Sequence, residues 1–144
     1  MLLETDKDGK VINVLESLPV ILEEIQPKNI THWVLQWVEI VAFEHLHFSS
    51  VQEIEKASST DRGLMISNEE FFKFVAGLHQ MLQGTIIALT DKDSFHPKFV
   101  LENFDSSQWL LETNDKEIID RLISTGWKES QHVPDRNYYD FVLE

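Results

Sequence analysis

The sequence has no cysteine, only five glycines and four prolines, and less than half as many basic residues as acidic ones. Without cysteine the chain forms no disulfide and offers no thiolate to a metal, so packing alone must stabilise the fold. The dispersed glycines are too few for a glycine-rich phosphate-binding loop. No apolar run approaches the roughly 18 residues of a membrane-spanning helix, and the N-terminal residues do not resemble a signal peptide. We therefore expect a cytoplasmic protein.

Length and apolar content predict a single folded domain. The 144 residues of the chain lie within the usual domain size of about 100–150 residues. With 42% hydrophobic and 10% aromatic residues the chain can bury a core, and no linker or repeat divides it. We expect one domain over residues 1–144.

The charge of the chain is strongly negative along its whole length. Residues 1–72 hold 13 acidic and 5 basic residues, residues 73–144 hold 12 and 7, and the net charge is −13. A folded domain with this field repels phosphate backbones and anionic membranes, and it attracts a basic protein. The alternative is that the acidity only keeps the protein in solution.

The strongest secondary-structure signal begins at Ser67, where Ser67 and Glu70 match a capping box. Apolar residues follow at helical spacing up to Gly84, which stands where a C-cap glycine is expected. The β-branched segment Thr85–Thr90 then predicts a buried strand, followed by a turn.

Further segments complete a pattern of helices alternating with strands. They are a helix over Leu15–Ile25, a long strand over His32–Phe43, short strands at Gly63–Ile66 and Trp109–Leu111, a helix from an Asn114 N-cap to Gly126, and an edge strand at Tyr138–Leu143. This pattern predicts an α+β fold, with a few helices packed on one small mixed or antiparallel sheet.

Two segments contain potential metal ligands. Glu44, His45 and His47 lie together, but a zinc site needs three or four ligands with supporting partners, and no second histidine pair is present. The segment from Glu4 places acidic residues as in a calcium loop, yet Leu15 stands where the bidentate glutamate belongs. We interpret the first segment as a strand end and the second as a solvated turn, and we predict no metal and no cofactor.

A protein-binding site is predicted near the segment Asn103–Trp109, which mixes loop-forming residues with two aromatic side chains. An acidic rim around an aromatic anchor is what a binding hot spot uses against a basic partner. The predicted partner-binding residues are Asp91, Asp93, Glu102, Asp105 and Trp109. The alternative is a plain loop that leads into a strand.

The order of elements resembles that of small acidic bacterial immunity proteins, which neutralise toxin domains. The resemblance covers Gly63 to Trp127 and rests on the capped "SNEE" helix, the "IIA" strand, the "DSSQW" strand entry, the "NDKEIIDRLISTGW" helix and the acidity. It implies a non-enzymatic inhibitor of a basic, nuclease-like toxin domain, without implying roles for single residues. Two alternatives stay open: a housekeeping structural or interaction domain or subunit, and a metal-dependent enzyme.

Overall fold

The computed structural model describes residues 1–5, 17–42, 50–93, 96–104, 108–130 and 143–144. The strands in this part of the chain are β1 (Leu2–Glu4), β2 (His32–Ala42), β3 (Leu64–Ser67), β4 (Leu78–Leu89), β5 (Phe99–Phe104), β6 (Gln108–Thr113) and β7 (Lys128–Glu129). The helices are α1 (Leu18–Ile25), α2 (Val51–Ser58), α3 (Asn68–Gly77) and α4 (Lys116–Ser124).

The strands form one sheet with the order β3-β2-β4-β5-β6-β1-β7, in which every neighbouring pair is antiparallel. The predicted α+β fold, with a few helices on one small sheet, is confirmed, and the sheet is of the antiparallel kind. No described helix is long and apolar enough to cross a membrane.

Side chains that alternate along the strands build a core on each face of the sheet. All four helices contribute buried residues to the larger core, so they cover the same face. The smaller core on the opposite face has these buried members: Val34, Ile87, Leu89 and Val100. Leu143, near the end of the chain, packs against this smaller core.

Trp33 of β2 joins helix α3 to the sheet. Its ring stacks on that of Phe71 with a centroid distance of 3.8 Å, and the edge of Phe99 approaches it at 5.7 Å. The indole N–H donates a hydrogen bond of 2.8 Å to Asn68 Oδ1 at the start of the helix. The buried indole is therefore both packed and hydrogen-bonded, as a core tryptophan needs to be.

The capping box of α3 is confirmed, but the predicted length of the helix is wrong. Ser67 Oγ accepts from the backbone N–H of Glu70, and the Glu70 carboxylate accepts from that of Ser67, both at 3.1 Å. The helix ends at Gly77, and β4 begins at Leu78, inside the segment predicted as helical. Register shifts against β2 leave the buried residues Leu78 and Met81 three positions apart. A bulged strand thereby imitates helical spacing.

Most other predicted elements are confirmed, with small shifts at their ends. Strands β2, β3 and β6 and helix α1 occupy the predicted segments, so far as these are described. The N-cap of α4 is Asp115, one residue after the predicted Asn114. Helix α2 and strand β5 were not predicted, and the predicted strand at Tyr138–Leu143 lies outside the described residues except for its last residue.

A bulge interrupts the pairing of β2 with β4. Gln36 pairs with Thr85 and Glu39 pairs with Gln83, so two residues of β2 stand opposite Gly84 alone. An extra residue of this kind bends a strand and turns a side chain in a new direction, which is why bulges are frequent beside functional sites.

Candidate partner-binding site

The predicted partner-binding residues that the structure describes do not form one surface. Asp91 and Asp93 lie exposed in the turn after β4, where Asp91 Oδ1 accepts a hydrogen bond of 3.0 Å from the Asp93 backbone. Glu102 of β5 stands opposite Thr85, near the middle of β4. The strand rise places these two regions about 15–20 Å apart. Residues that are close in sequence are thus separated by the length of a strand.

The predicted aromatic anchor, Trp109, is a core residue. Only 2% of its surface is exposed, and it belongs to the larger core, opposite Asn103 of β5. Glu102 is half-buried, and its side chain alternates to the other face of the sheet. Asp105 lies outside the described residues. The indole of Trp109 therefore packs inside the molecule and is not presented at its surface.

The potential metal ligands Glu44, His45 and His47 lie outside the described residues. In the part of the chain that is described, no group of three or more histidine, aspartate or glutamate side chains is placed to hold a metal ion. Glu4, the first acidic residue of the calcium-loop pattern, accepts hydrogen bonds of 3.3 Å from Gln108 in β6 and of 2.9 Å from Ser130, which directly follows β7.

Trp37 of β2 is the exposed tryptophan of the described structure. Its side chain lies in the bulge and is 45% exposed, while the other tryptophans are at most 2% exposed. Its φ of +50° falls in the left-handed region, where a bulky L-residue is strained. Among the described residues the indole has no hydrogen-bond partner and no ring contact. Strain of this kind persists only where the surrounding structure enforces it, and it clusters at functional sites.

Trp37 lines a cleft with a volume of about 320 Å³. β3 pairs only with the first part of β2, His32–Leu35, and helix α2 lies beside the later part. The cleft lies between this later part and α2, and its other lining residues are Val38, Glu39, Glu55, Lys56, Ser59 and Gln83. Its volume is at the lower end of the range for ligand pockets, which suits a single side chain.

The cleft contains two carboxylates that form no ion pair with a described residue. Glu39 is exposed and Glu55 is half-buried, and neither side chain has an ion pair or hydrogen bond within the described ranges. Lys56 lines the same cleft and is likewise unpaired in this part of the chain. An exposed indole that shares a cleft with unpaired carboxylates can bind a cation through both the ring and the charges.

Hydrogen bonds to α2 and to the loop after it hold the bulge in place. The backbone N–H of Val38 donates to Ser58 Oγ at 3.2 Å, and the side-chain amide of Gln36 donates to the Asp61 carbonyl at 2.7 Å. On the β4 side, a Cβ at Gly84 would lie only 2.8 Å from Val38 Cα. The backbone that presents the exposed indole is therefore held in place before any partner arrives, which reduces the entropic cost of binding.

A second polar cluster lies between the end of α1 and the start of α4, around a cavity of about 110 Å³. Asp115 caps α4 by accepting from two backbone N–H groups, and it pairs with Lys98 at 2.9 Å. The hydrogen bond from Lys98 is the main cause of the lowered pKa of Asp115, and the same bond raises the pKa of Lys98. Arg121 donates to the carbonyl of Ile25 at the end of α1. The charged groups of this cluster thus have partners within the protein. We therefore interpret the cluster as structural, since it connects α4 to α1 and to the start of β5.

The sequence carries no clear signal for the Trp37 cleft, because the apolar residues of β2 stand at odd and even positions alike. The burial pattern of β2 does mark it. Core residues of β2 are Trp33 and Leu35 before the bulge, and Val38 and Ile40 after it. The positions that face the larger core thus change from odd to even numbers, which a strand does only when a residue is inserted. Prediction of a uniform strand, buried on most of both faces, misses this change and with it the exposed indole.

No protein-family model matches the sequence, and neither a curated protein nor a solved structure is significantly similar to it. The function has to be inferred from the chemistry of the site and the charge of the chain.

Proposed function

We propose that this chain is a non-enzymatic protein-binding module that recognises a basic partner at the Trp37 cleft. The observation that carries the proposal is the indole of Trp37, which is 45% exposed and held at a φ of +50°. Such a backbone conformation costs on the order of 1–3 kcal/mol. A fold gains nothing from strain that presents an aromatic side chain to water, whereas tryptophan is the type of residue that dominates binding hot spots.

The charge of the chain supports a basic partner. The net charge is −13, and Glu39 and Glu55 bring unpaired carboxylates to the cleft itself. A field of this sign speeds the encounter with a cationic protein and disfavours nucleic acid and anionic membranes. In this mechanism the carboxylates raise the association rate, and the desolvated indole slows dissociation.

Within this class, we propose an inhibitor of the immunity type, acting in the cytoplasm on a basic toxin domain. A nuclease is a partner of the required chemistry, because its substrate groove carries the positive charge that binds phosphates. An acidic protein in that groove competes with nucleic acid and needs no cofactor. The resemblance of the segment Gly63 to Trp127 to immunity proteins, in its predicted order of elements and its acidity, supports this choice.

The experiment measures binding of the purified chain to the protein encoded directly beside its gene, at about 0.05 M and about 0.5 M salt. We expect a complex that inhibits a nuclease activity of that protein, with an association rate at least about tenfold lower at the higher salt. No complex at the lower salt overturns the proposal. A complex that does not depend on salt overturns the electrostatic mechanism.

A matched pair of double variants locates the interface. Glu39→Gln with Glu55→Gln removes two charges from the cleft, and we expect it to raise Kd by at least about tenfold. Asp120→Asn with Glu129→Gln removes two exposed charges from α4 and from β7, which is at the other edge of the sheet. The effect of this control should stay below about threefold. Equal losses would mean that only the net charge matters and that the Trp37 cleft is not the interface.

A further inference from the structure

We infer that the Trp37 cleft is an arginine subsite, which receives the guanidinium group of one arginine side chain of the partner. This inference rests on the proposed function and specifies the group that enters the cleft. Three features carry it: an exposed indole without a partner among the described residues, carboxylates from Glu39 on β2 and Glu55 on α2 that line the same cleft, and a volume of about 320 Å³.

The ring of Trp37 favours a cation. Tryptophan gives the strongest cation–π interaction of the aromatic side chains, and arginine is its more frequent partner. The indole is 45% exposed and makes no ring contact or hydrogen bond within the described residues. A partner side chain can therefore reach it without displacing one from this part of the chain.

The positions of the carboxylates favour arginine over lysine. Glu39 lies on β2, two residues after Trp37, while Glu55 reaches the cleft from α2 on the other side. A planar guanidinium can stack on the ring and still donate N–H groups in its plane to carboxylates at its edges. An ammonium group is compact and strongly hydrated, so it cannot combine stacking with forked donation.

The rest of the cleft is polar and neutral, apart from Val38 and one lysine. Gln83 is paired with Glu39 across the ladder, and Ser59 follows Glu55 one helical turn later. Lys56 lines the same cleft and repels an incoming cation. Its presence predicts an effect of opposite sign to that of the carboxylates: loss of the Lys56 charge must strengthen binding of arginine.

Three blocked pentapeptides, acetyl-Gly-Gly-Xaa-Gly-Gly-amide, test the inference with Xaa as arginine, lysine or citrulline. Citrulline keeps the shape of arginine and removes its charge. The readout is the indole N–H NMR signal of Trp37, which is identified by its loss in Trp37→Phe. We expect the arginine peptide to shift this signal with a Kd about threefold to tenfold lower than that of the lysine peptide. The citrulline peptide should bind at least about tenfold more weakly than the arginine peptide.

Charge variants of the chain give a second, independent readout with the same peptides. Glu55→Gln should raise the Kd of the arginine peptide about threefold, Lys56→Gln should lower it about twofold, and Asp120→Asn on α4 should leave it unchanged. The indole signals of the buried residues Trp33, Trp109 and Trp127 report on the fold. If these signals stay in place, a change in Kd comes from the cleft and not from unfolding.

The inference is overturned if lysine or citrulline peptides bind as tightly as the arginine peptide, or if the Trp37 signal does not shift. The same holds if Glu55→Gln and Lys56→Gln change the Kd in the same direction. A protein partner that binds the cleft while the peptides fail this test leaves the proposed function standing without the arginine subsite. If the peptides are discriminated as expected but no protein partner is found, the arginine subsite stands and the proposed function falls.

Discussion

The backbone N–H of Val38 donates a hydrogen bond of 3.2 Å to Oγ of Ser58, a fully buried serine at the end of α2. The bulge in β2 takes this N–H out of the β-ladder, and the segment has no β3 partner that could accept it. The serine hydroxyl supplies the missing acceptor and itself donates to the Glu55 carbonyl. The same contact thus gives the Val38 N–H a hydrogen-bond acceptor and places α2 beside Trp37.

Ser58→Ala should lower the free energy of unfolding by about 1–3 kcal/mol, because the buried N–H of Val38 loses its acceptor. Ser59→Ala is the matched control, since the Ser59 hydroxyl is exposed and donates only to the Glu55 carbonyl within the described structure. We expect that control to change stability by less than about 0.5 kcal/mol. Urea titration of both variants measures the difference. Equal losses would mean that the hydrogen bond to Val38 does not contribute to stability.

Gly84→Ala should be more damaging, at about 3 kcal/mol of unfolding free energy. The added Cβ would lie 2.7 Å from Val38 Cγ1 and 2.8 Å from Val38 Cα, and the φ of +138° is one that alanine rarely adopts. Because Val38 belongs to the bulge, the variant should also shift the indole N–H signal of Trp37. A stable Gly84→Ala protein with an unchanged Trp37 signal would contradict the close packing of Gly84 in β4 against Val38 in the bulge.

The ion pair between Lys98 and Asp115 predicts a stability contribution that is lost in acid. The folded-state pKa of Asp115 is lowered, first by the hydrogen bond from Lys98. The contribution is therefore complete above the unfolded pKa of about 3.9 and disappears as the pH falls through the lower folded value. Asp115→Asn keeps a good N-cap and removes the charge, so its stability deficit at about pH 6 should shrink towards about pH 2. A deficit that is constant over this range in denaturant titrations would exclude the charge as its cause.

The other partner of this ion pair, Lys98, predicts a stability contribution that is lost at alkaline pH. Its pKa is raised in the folded state, mainly by the hydrogen bond to Asp115. The stability from this shift is complete below the unfolded pKa of about 10.4 and is lost as the pH rises through the folded value. Lys98→Met should therefore cost up to about 1 kcal/mol near pH 7 and less above about pH 11. A deficit that grows with alkaline pH would contradict this assignment.

Signals that act within a few residues could be predicted from the sequence. The capping box of Ser67 and Glu70 identifies the start of α3, because both of its hydrogen bonds span only three residues. The β-branched run Thr85–Thr90 likewise identifies the second half of β4. The alternation of helical and strand patterns, in a chain of single-domain size, was enough for the α+β class.

Elements that depend on pairing or on few contacts could not be predicted. β5 carries Glu102 and Asn103 in succession, and only its pairing with β4 on one side and β6 on the other makes it a central strand. Helix α2 buries only Ile54 and Ser58, so its apolar periodicity is weak. The site was missed for the same reason: Trp37 and Trp109 look alike in sequence, and a bulge exposes one while the sheet buries the other.

Asn103 predicts a stabilising substitution. It is 2% exposed, faces the larger core opposite Trp109, and neither atom of its amide has a hydrogen-bond partner within the described residues. A buried amide without partners carries a desolvation penalty of about 1–3 kcal/mol, so Asn103→Leu, which keeps the branching of the side chain, should raise the free energy of unfolding by that order. Asn103→Val, with a smaller side chain, separates this gain from overpacking.

Asn68→Leu is the matched contrast. The Asn68 amide oxygen accepts a hydrogen bond of 2.8 Å from the Trp33 indole, so its loss should destabilise the fold by about 1–2 kcal/mol. If both apolar substitutions of Asn103 destabilise the fold as Asn68→Leu does, the Asn103 amide has a partner in solution and its burial carries no penalty.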